Sequence, residues 1–275
     1  MNKIAFIIPP TVELLDLAGP VQVFTEAKFY GFALDIEFFI YQNDPVCTSG
    51  LGFGKVAHYS EAQLAEGDYV FIPGMDQHYV MSDAFGAEKA FFQWLNACAD
   101  RGITVCSVCN GAFALGHAGL LNGLDCTTHW RRAEALQAQF PLAKVVADRL
   151  YVKHRHVCTS AGISAGIDLA LSILEDLAGA LFTQKVARGL VVYHRKSGSN
   201  TQEGFYLRFR NHINANIHDL QDYLIDNLAG DTSMAKLAAV AGMTPENLRK
   251  AFESATGITV VDYLTQLRLE MAASA

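Results

Sequence analysis

The sequence is sparing with charge, proline and tryptophan: of 275 residues 18% are Asp, Glu, Lys or Arg, 7 are Pro and 2 are Trp. Its 21 basic residues face 28 acidic ones, and a net charge of −7 disfavours non-specific attraction to phosphate or anionic lipid. The opening run, MNKIAFIIPP, has one lysine and ends at proline after a few apolar residues. It is too short for a signal or membrane segment, so a first β-strand and a cytoplasmic protein without membrane partners are expected. Apolar residues, by contrast, make up 51% of the chain, with 17 Phe. Such a chain buries enough surface to offset its conformational entropy, which excludes disorder and allows one large domain plus a smaller one. The six cysteines sit mostly in apolar runs and read as reduced core thiols rather than disulfides or zinc ligands.

Over the first 190 or so residues, short apolar runs alternate with helical patterns: KIAFII, a helix from about Pro20 to Tyr30, LDIEFFI, YVFIP, a helix around AFFQWLNACA, ITVCSV and then NGAFALGHAGLL. Continuous β-branched strands separated by helices predict a doubly wound α/β fold, flavodoxin-like and mostly parallel, with helices on both faces. VVADRLYVKHRHVCTSAG reads as a strand pair, and SAGIDLALSILEDLAGALFTQKVARGLVV as a long helical stretch closing the domain. A polar segment, YHRKSGSNTQEGF, then suits an exposed linker. The expected division is an α/β domain over 1–193, a linker over 194–208 and a small all-α part over 209–275.

Cys109 stands where a strand turns into a helix, in TVCSVCNGAFALGHAGLL. In doubly wound sheets such a turn points into the ligand crevice at the carboxyl ends of the strands. A helix opening at Asn110 is expected to lower the thiol pKa and favour a thiolate, as an elbow that presents a nucleophile would. The alternative is a small buried core thiol. Two other patterns carry little. SGLGFGK lacks the strand-turn-helix setting of a nucleotide loop, and His154, His156 and Cys158 read as ordinary strand alternation, so no metal or cofactor is expected.

The segments LLDLAGPVQVF, VFIPGMD, CNGAFALGHAGLLNGLDCTTHW and TSAGISAGIDLALSILED, in this order, resemble the PfpI/ThiJ group of the class I glutamine-amidotransferase-like superfamily. The closest likeness is to its GlxA-type branch, in which this domain precedes an AraC-type DNA-binding domain. The resemblance implies that Cys109 is the elbow cysteine, that Asp16 contacts its sulfur and that His129 of the TTH motif serves as a third catalytic-site residue. It places Gly74 and Met75 at the turn whose backbone N–H groups, with that of Asn110, could form an oxyanion hole. Glu13 and His78 fall near the crevice mouth. Asn110 stands where many family enzymes carry a small or hydroxyl residue, and PGMD has one glycine where a pair is frequent. Ligand binding is therefore expected ahead of catalysis.

Beyond the linker, Phe209, Ile213, Ile217, Leu220, Leu224 and Leu228 mark an amphipathic helix. SMAKLAAVAGMTPENLRKAFESATG follows as two short helices, with caps at Ser233 and Thr244, Gly242 in the turn and Pro245 at a helix start. That is a helix-turn-helix whose second helix, about Pro245 to Ser254, would offer Thr244, Glu246, Asn247, Arg249 and Lys250 to double-stranded DNA. The region resembles the first half of an AraC-type domain, which carries two such units. From Asp231 onward four basic residues meet five acidic ones, too little for strong phosphate neutralisation. Either a truncated version of a regulator or weak binding as a homodimer, helped by Arg195, Lys196, Arg208 and Arg210, is expected. The reading is a ligand-responsive transcriptional regulator sensing a small nitrogenous metabolite. The alternatives are a cysteine-dependent hydrolase or hydratase using Cys109 and Asp16, and a redox sensor in which Cys109 is oxidised.

Overall fold

The computed structural model describes residues 1–42, 44–192, 198, 209–210, 212–228 and 230–273. The chain divides into two compact units, Met1–Gln202 and Glu203–Ala275. In the first unit the main elements are β1 (Asn2–Ile8), α1 (Leu14–Phe29), β2 (Leu34–Ile40), β3 (Ala57–His58), β4 (Tyr69–Ile72), α2 (Lys89–Asp100), β5 (Thr104–Val108), α3 (Ala112–His117), β6 (Tyr151–Lys153), β7 (Val157–Ser160), α4 (Ser164–Ala178) and α5 (Ala180–Gly189). The strands form one sheet in the order β3-β2-β1-β4-β5-β7-β6. Neighbours are parallel except β7 and β6, which are antiparallel.

Strand alternation divides the core into two layers. Ala5, Ile7, Val70, Ile72 and Val105 face one way and pack with Phe91, Phe92 and Leu95 of α2 and Phe113 and Leu115 of α3. Ile4, Phe6, Ile8, Phe71 and Val108 face the other way and pack with Leu17, Val23 and Phe24 of α1, Leu169 and Ile173 of α4 and Val186 of α5. Strands buried on both faces need no polar residues in alternation, and this is why they read as continuous apolar runs. The chain leaves β1 for β2 and β3, then returns to lay β4 on the opposite edge of β1. In doubly wound sheets ligands bind at such a reversal, beyond the carboxyl ends of the strands, and Glu13, Asp16, Gly74 and Met75 lie there, after β1 and β4.

In the second unit α6 (Ala215–Asp226), α7 (Met234–Val240), α8 (Pro245–Thr256) and α9 (Val260–Ala273) enclose Leu220, Leu224, Leu237, Leu248, Phe252, Tyr263 and Leu267. The Ser233 and Thr244 hydroxyls cap α7 and α8 by accepting from the N–H groups of Lys236 and Asn247. Gly242, at φ +64°, makes the turn between them.

Several expectations need correction. The helix expected from Pro20 begins at Leu14 and holds Pro20 inside it, which brings Asp16 onto a helix. The long helical stretch breaks at Gly179, whose φ of +82° no α-helix continues through. The amphipathic helix starts at Ala215, capped by the Asn214 side chain, so Phe209 and Ile213 precede it. His154 and His156 lie in the turn between β6 and β7 and do not alternate along a strand with Cys158. The expected linker, with Arg195, Lys196 and Arg208, falls outside the described residues apart from Gly198.

Candidate functional site

The carboxyl end of β5 delivers Cys109 to the crevice with a sharp change of backbone direction. Val108 is extended at φ −117°, Cys109 takes φ +56°, and a tight 3-10 turn over Cys109–Gly111 leads into α3. A non-glycine residue with positive φ is held by its surroundings at a cost of about 1–3 kcal/mol. Here three glycines do the holding. A Cβ on Gly162 would stand 2.5 Å from Cys109 Cβ and 2.9 Å from Sγ. One on Gly74 would stand 2.2 Å from Asp16 Oδ2, and one on Gly111 2.3 Å from the Ile72 carbonyl oxygen. At 74 and 162 no other residue type leaves room for a thiol and a carboxyl side by side, and at 111 none lets the elbow lie against the end of β4.

Asp16, in the first turn of α1, is 1% exposed. Its Oδ1 accepts the Ile163 N–H at 2.6 Å. Ile163 pays for this contact with an unusual backbone, φ +48° and ψ −110°, despite its branched Cβ. Burial pushes the Asp16 carboxyl up to about 6, opposed by the Ile163 N–H, the Cys109 thiol and the Gly74 N–H. Glu13, just before α1, donates its N–H to the Gly74 carbonyl at 2.8 Å and accepts the Thr48 hydroxyl at 3.1 Å.

The surroundings of Cys109 work against the thiolate expected from the helix start. Burial pushes the Cys109 thiol well above its ordinary range, the adjacent Asp16 charge pushes it further, and the Asn110 N–H opposes both only in part. Desolvation and a neighbouring carboxylate outweigh the dipole of a short helix. Cys106 precedes Cys109 in a C-x-x-C spacing but pairs in register with Cys158 on β7, and all six cysteines are free.

Asn110 ties the elbow to the loop after β4. Its Oδ1 accepts the Met75 N–H at 2.8 Å and its Nδ2 donates to the Met75 carbonyl at 2.7 Å. Met75, 1% exposed, also receives the Tyr41 hydroxyl at its sulfur. The Met75 N–H expected in an oxyanion hole is thus occupied by the protein itself.

His129 is held in its own turn: Nδ1 accepts the Arg131 N–H at 3.3 Å, and the ring stacks on Trp130 with centroids 5.7 Å apart. Burial, then Arg131 and Arg132, hold its pKa below the ordinary value. Its neighbour Thr128 makes the contact with the elbow, donating its hydroxyl to the Cys109 carbonyl at 2.8 Å. His78 lies outward, its side chain 94% exposed and 3.6 Å from Asp76 Oδ1. Cys109, Asp16, Gly74, Met75, Asn110 and Glu13 therefore come together, while His129 and His78 are engaged elsewhere. Thr128, Gly162 and Ile163 were not singled out in the sequence. Thr128 stood inside TTH and Gly162 inside TSAGIS, but no sequence signal announces a positive φ at isoleucine.

Two surface grooves of about 840 and 420 Å³ lie along α5 and beside the Ala133–Gln139 helix, and neither is lined by Cys109. Among the described residues no helix is long and apolar enough to cross a membrane. In the second unit Thr244, Glu246, Asn247, Arg249 and Lys250 are all exposed on or at the start of α8, whose Leu248 and Phe252 are buried. Lys250 is paired with Glu246 at 2.8 Å.

A doubly wound sheet with a cysteine elbow facing a buried carboxyl defines a nucleophile-elbow α/β protein. The chain belongs to the DJ-1/PfpI family, whose profile matches residues 2–176. It is 30% identical over 188 residues to an isonitrile hydratase of Pseudomonas putida, covering 67% of this chain and 75% of that one. It is 27% identical over 179 residues to the HTH-type transcriptional regulator GbdR of Pseudomonas aeruginosa, covering 64% of this chain. The match spans 48% of that regulator, about half its length. A ThiJ/PfpI family protein from Pseudomonas syringae shares the fold, with a TM-score of 0.62 at 22% identity over 88% of this chain and 91% of that one.

Proposed function

We propose that the chain is a ligand-responsive transcriptional regulator. Residues 1–193 sense a small nitrogenous metabolite in the crevice at Cys109, 194–208 link, and 209–275 contact double-stranded DNA through α8. Cys109 and Asp16 form the floor of the ligand site, with Asn110, Gly74, Met75 and Glu13 around them and His129 and His78 outside. The protein acts in the cytoplasm as a homodimer, since one helix-turn-helix unit covers one half-site. The likeness to a helix-turn-helix regulator carries the reading, and the capped α7–α8 pair supports it.

The isonitrile hydratase likeness favours a second reading, in which Cys109 attacks an electrophilic carbon and Asp16 takes its proton. The burial that raises the Cys109 thiol pKa and the occupied Met75 N–H weigh against it. A gel-shift series against DNA upstream of the protein's own gene, with a panel of amino acids and amines, tests regulation. A retarded band that changes with one of them is expected. No band under any condition contradicts the reading.

A further inference from the structure

Nucleophilic attack on a carbonyl or similar carbon needs N–H donors free to receive the charge that develops on the oxygen. The Met75 N–H beside Cys109 is turned to the protein instead, held by Asn110 Oδ1 at 2.8 Å. The Asp16 carboxyl, which takes the Ile163 N–H at 2.6 Å, stands against Gly74 on the other side, 2.2 Å from where a Cβ there would lie. The Asn110 amide also fills the corner, its Oδ1 3.2 Å from where a Cβ on Gly74 would stand. An amide is suited to this place because it satisfies both the N–H and the carbonyl of Met75, leaving no orphan that would draw a ligand oxygen.

We propose that Asn110 keeps Cys109 a latent nucleophile: its amide occupies the oxyanion position and engages the Met75 N–H, and a smaller residue at 110 opens a site that accepts acyl groups from small activated esters. The inference rests on the crevice being a binding site in the wild-type protein. In the opened site the Cys109 thiol passes its proton to the Asp16 carboxylate as Sγ bonds to the ester carbonyl carbon. The carbonyl electron pair moves onto oxygen, beside the released Met75 N–H. Its return expels 4-nitrophenolate and leaves an S-acetyl group on Cys109, and the proton goes from Asp16 to solvent. Asn110 is thus a positioning residue that acts through Met75. A purely structural brace would lose stability on substitution and gain no reactivity.

The test uses 4-nitrophenyl acetate with the wild-type protein, Asn110→Ser, Asn110→Ala and each of these combined with Cys109→Ala. The single variants should release one equivalent of 4-nitrophenolate at least ten times faster than wild type, with acetyl on the Cys109 peptide by mass spectrometry and both effects lost in the combinations. Cooperatively melting single variants that acylate at the wild-type rate overturn the proposal. Hydrogen exchange supplies a measurement on the wild-type protein alone: the Met75 amide should exchange slowly, and a fast-exchanging one overturns the proposal whether or not the variants fold. No DNA enters these assays, so their failure removes the role of Asn110 and leaves regulation standing, whereas an absent gel-shift band removes regulation alone.

Discussion

At the scale of residues, the site turns on Asp16 and Cys109 sharing a space that Gly74 and Gly162 keep open. The folded protein holds the Asp16 proton up to about pH 6, whereas an unfolded chain releases it near 3.8. Between these values the native state binds more protons, so the Asp16 contribution to stability falls as pH rises through that window, by about 3 kcal/mol in all. Asp16→Asn removes this dependence. Urea midpoints of the two proteins should therefore diverge in favour of the variant between pH 4 and 6 and run parallel above 6. A constant difference would contradict the burial of an ionisable carboxyl. The same variant should alkylate Cys109 at lower pH, because the charge that pushes the thiol up is gone. Gly162→Ala combines a φ of +104° with a Cβ inside the contact distance of Cys109, and should cost at least about 2 kcal/mol in urea unfolding.

At the scale of elements, the central strands β1, β4 and β5 and the two-layer core were legible because these strands are apolar runs flanked by helical periods, whereas the two-residue β3, Ala57–His58, left no such signal. The α7–α8 pair was legible for a different reason: Ser233, Gly242, Thr244 and Pro245 each have a local conformational use. Thr244→Ala should cost about 1 kcal/mol in the stability of the second unit, read by urea unfolding monitored on its helices. Helix limits were poorly legible where local rules lose to context. Pro20 marks a helix start by propensity, yet α1 already runs past Asp16 before reaching it. Cys109, Asp16 and Asn110 could be picked out, the first by the elbow pattern and the others by family likeness. The state of the thiol could not, because it depends first on how deeply the sulfur is buried and then on how closely Asp16 is packed against it, a contact between residues 93 positions apart.

At the scale of the molecule, several basic residues of the second unit are already engaged by the protein. In the second unit Arg210 pairs with Asp222 and Lys250 with Glu246, and Arg268 bonds to the Leu228 carbonyl. DNA affinity should accordingly be modest, and Arg249→Ala should flatten its salt dependence by about one unit of slope, the share of one phosphate contact. An unchanged slope would remove Arg249 from the interface. The central claim is that the crevice binds a small molecule without turning it over. Incubating the wild-type protein and Cys109→Ala with a panel of isonitriles and amides tests this most directly: equal, background rates in both are predicted, and turnover by the wild-type protein that vanishes in Cys109→Ala would contradict the claim.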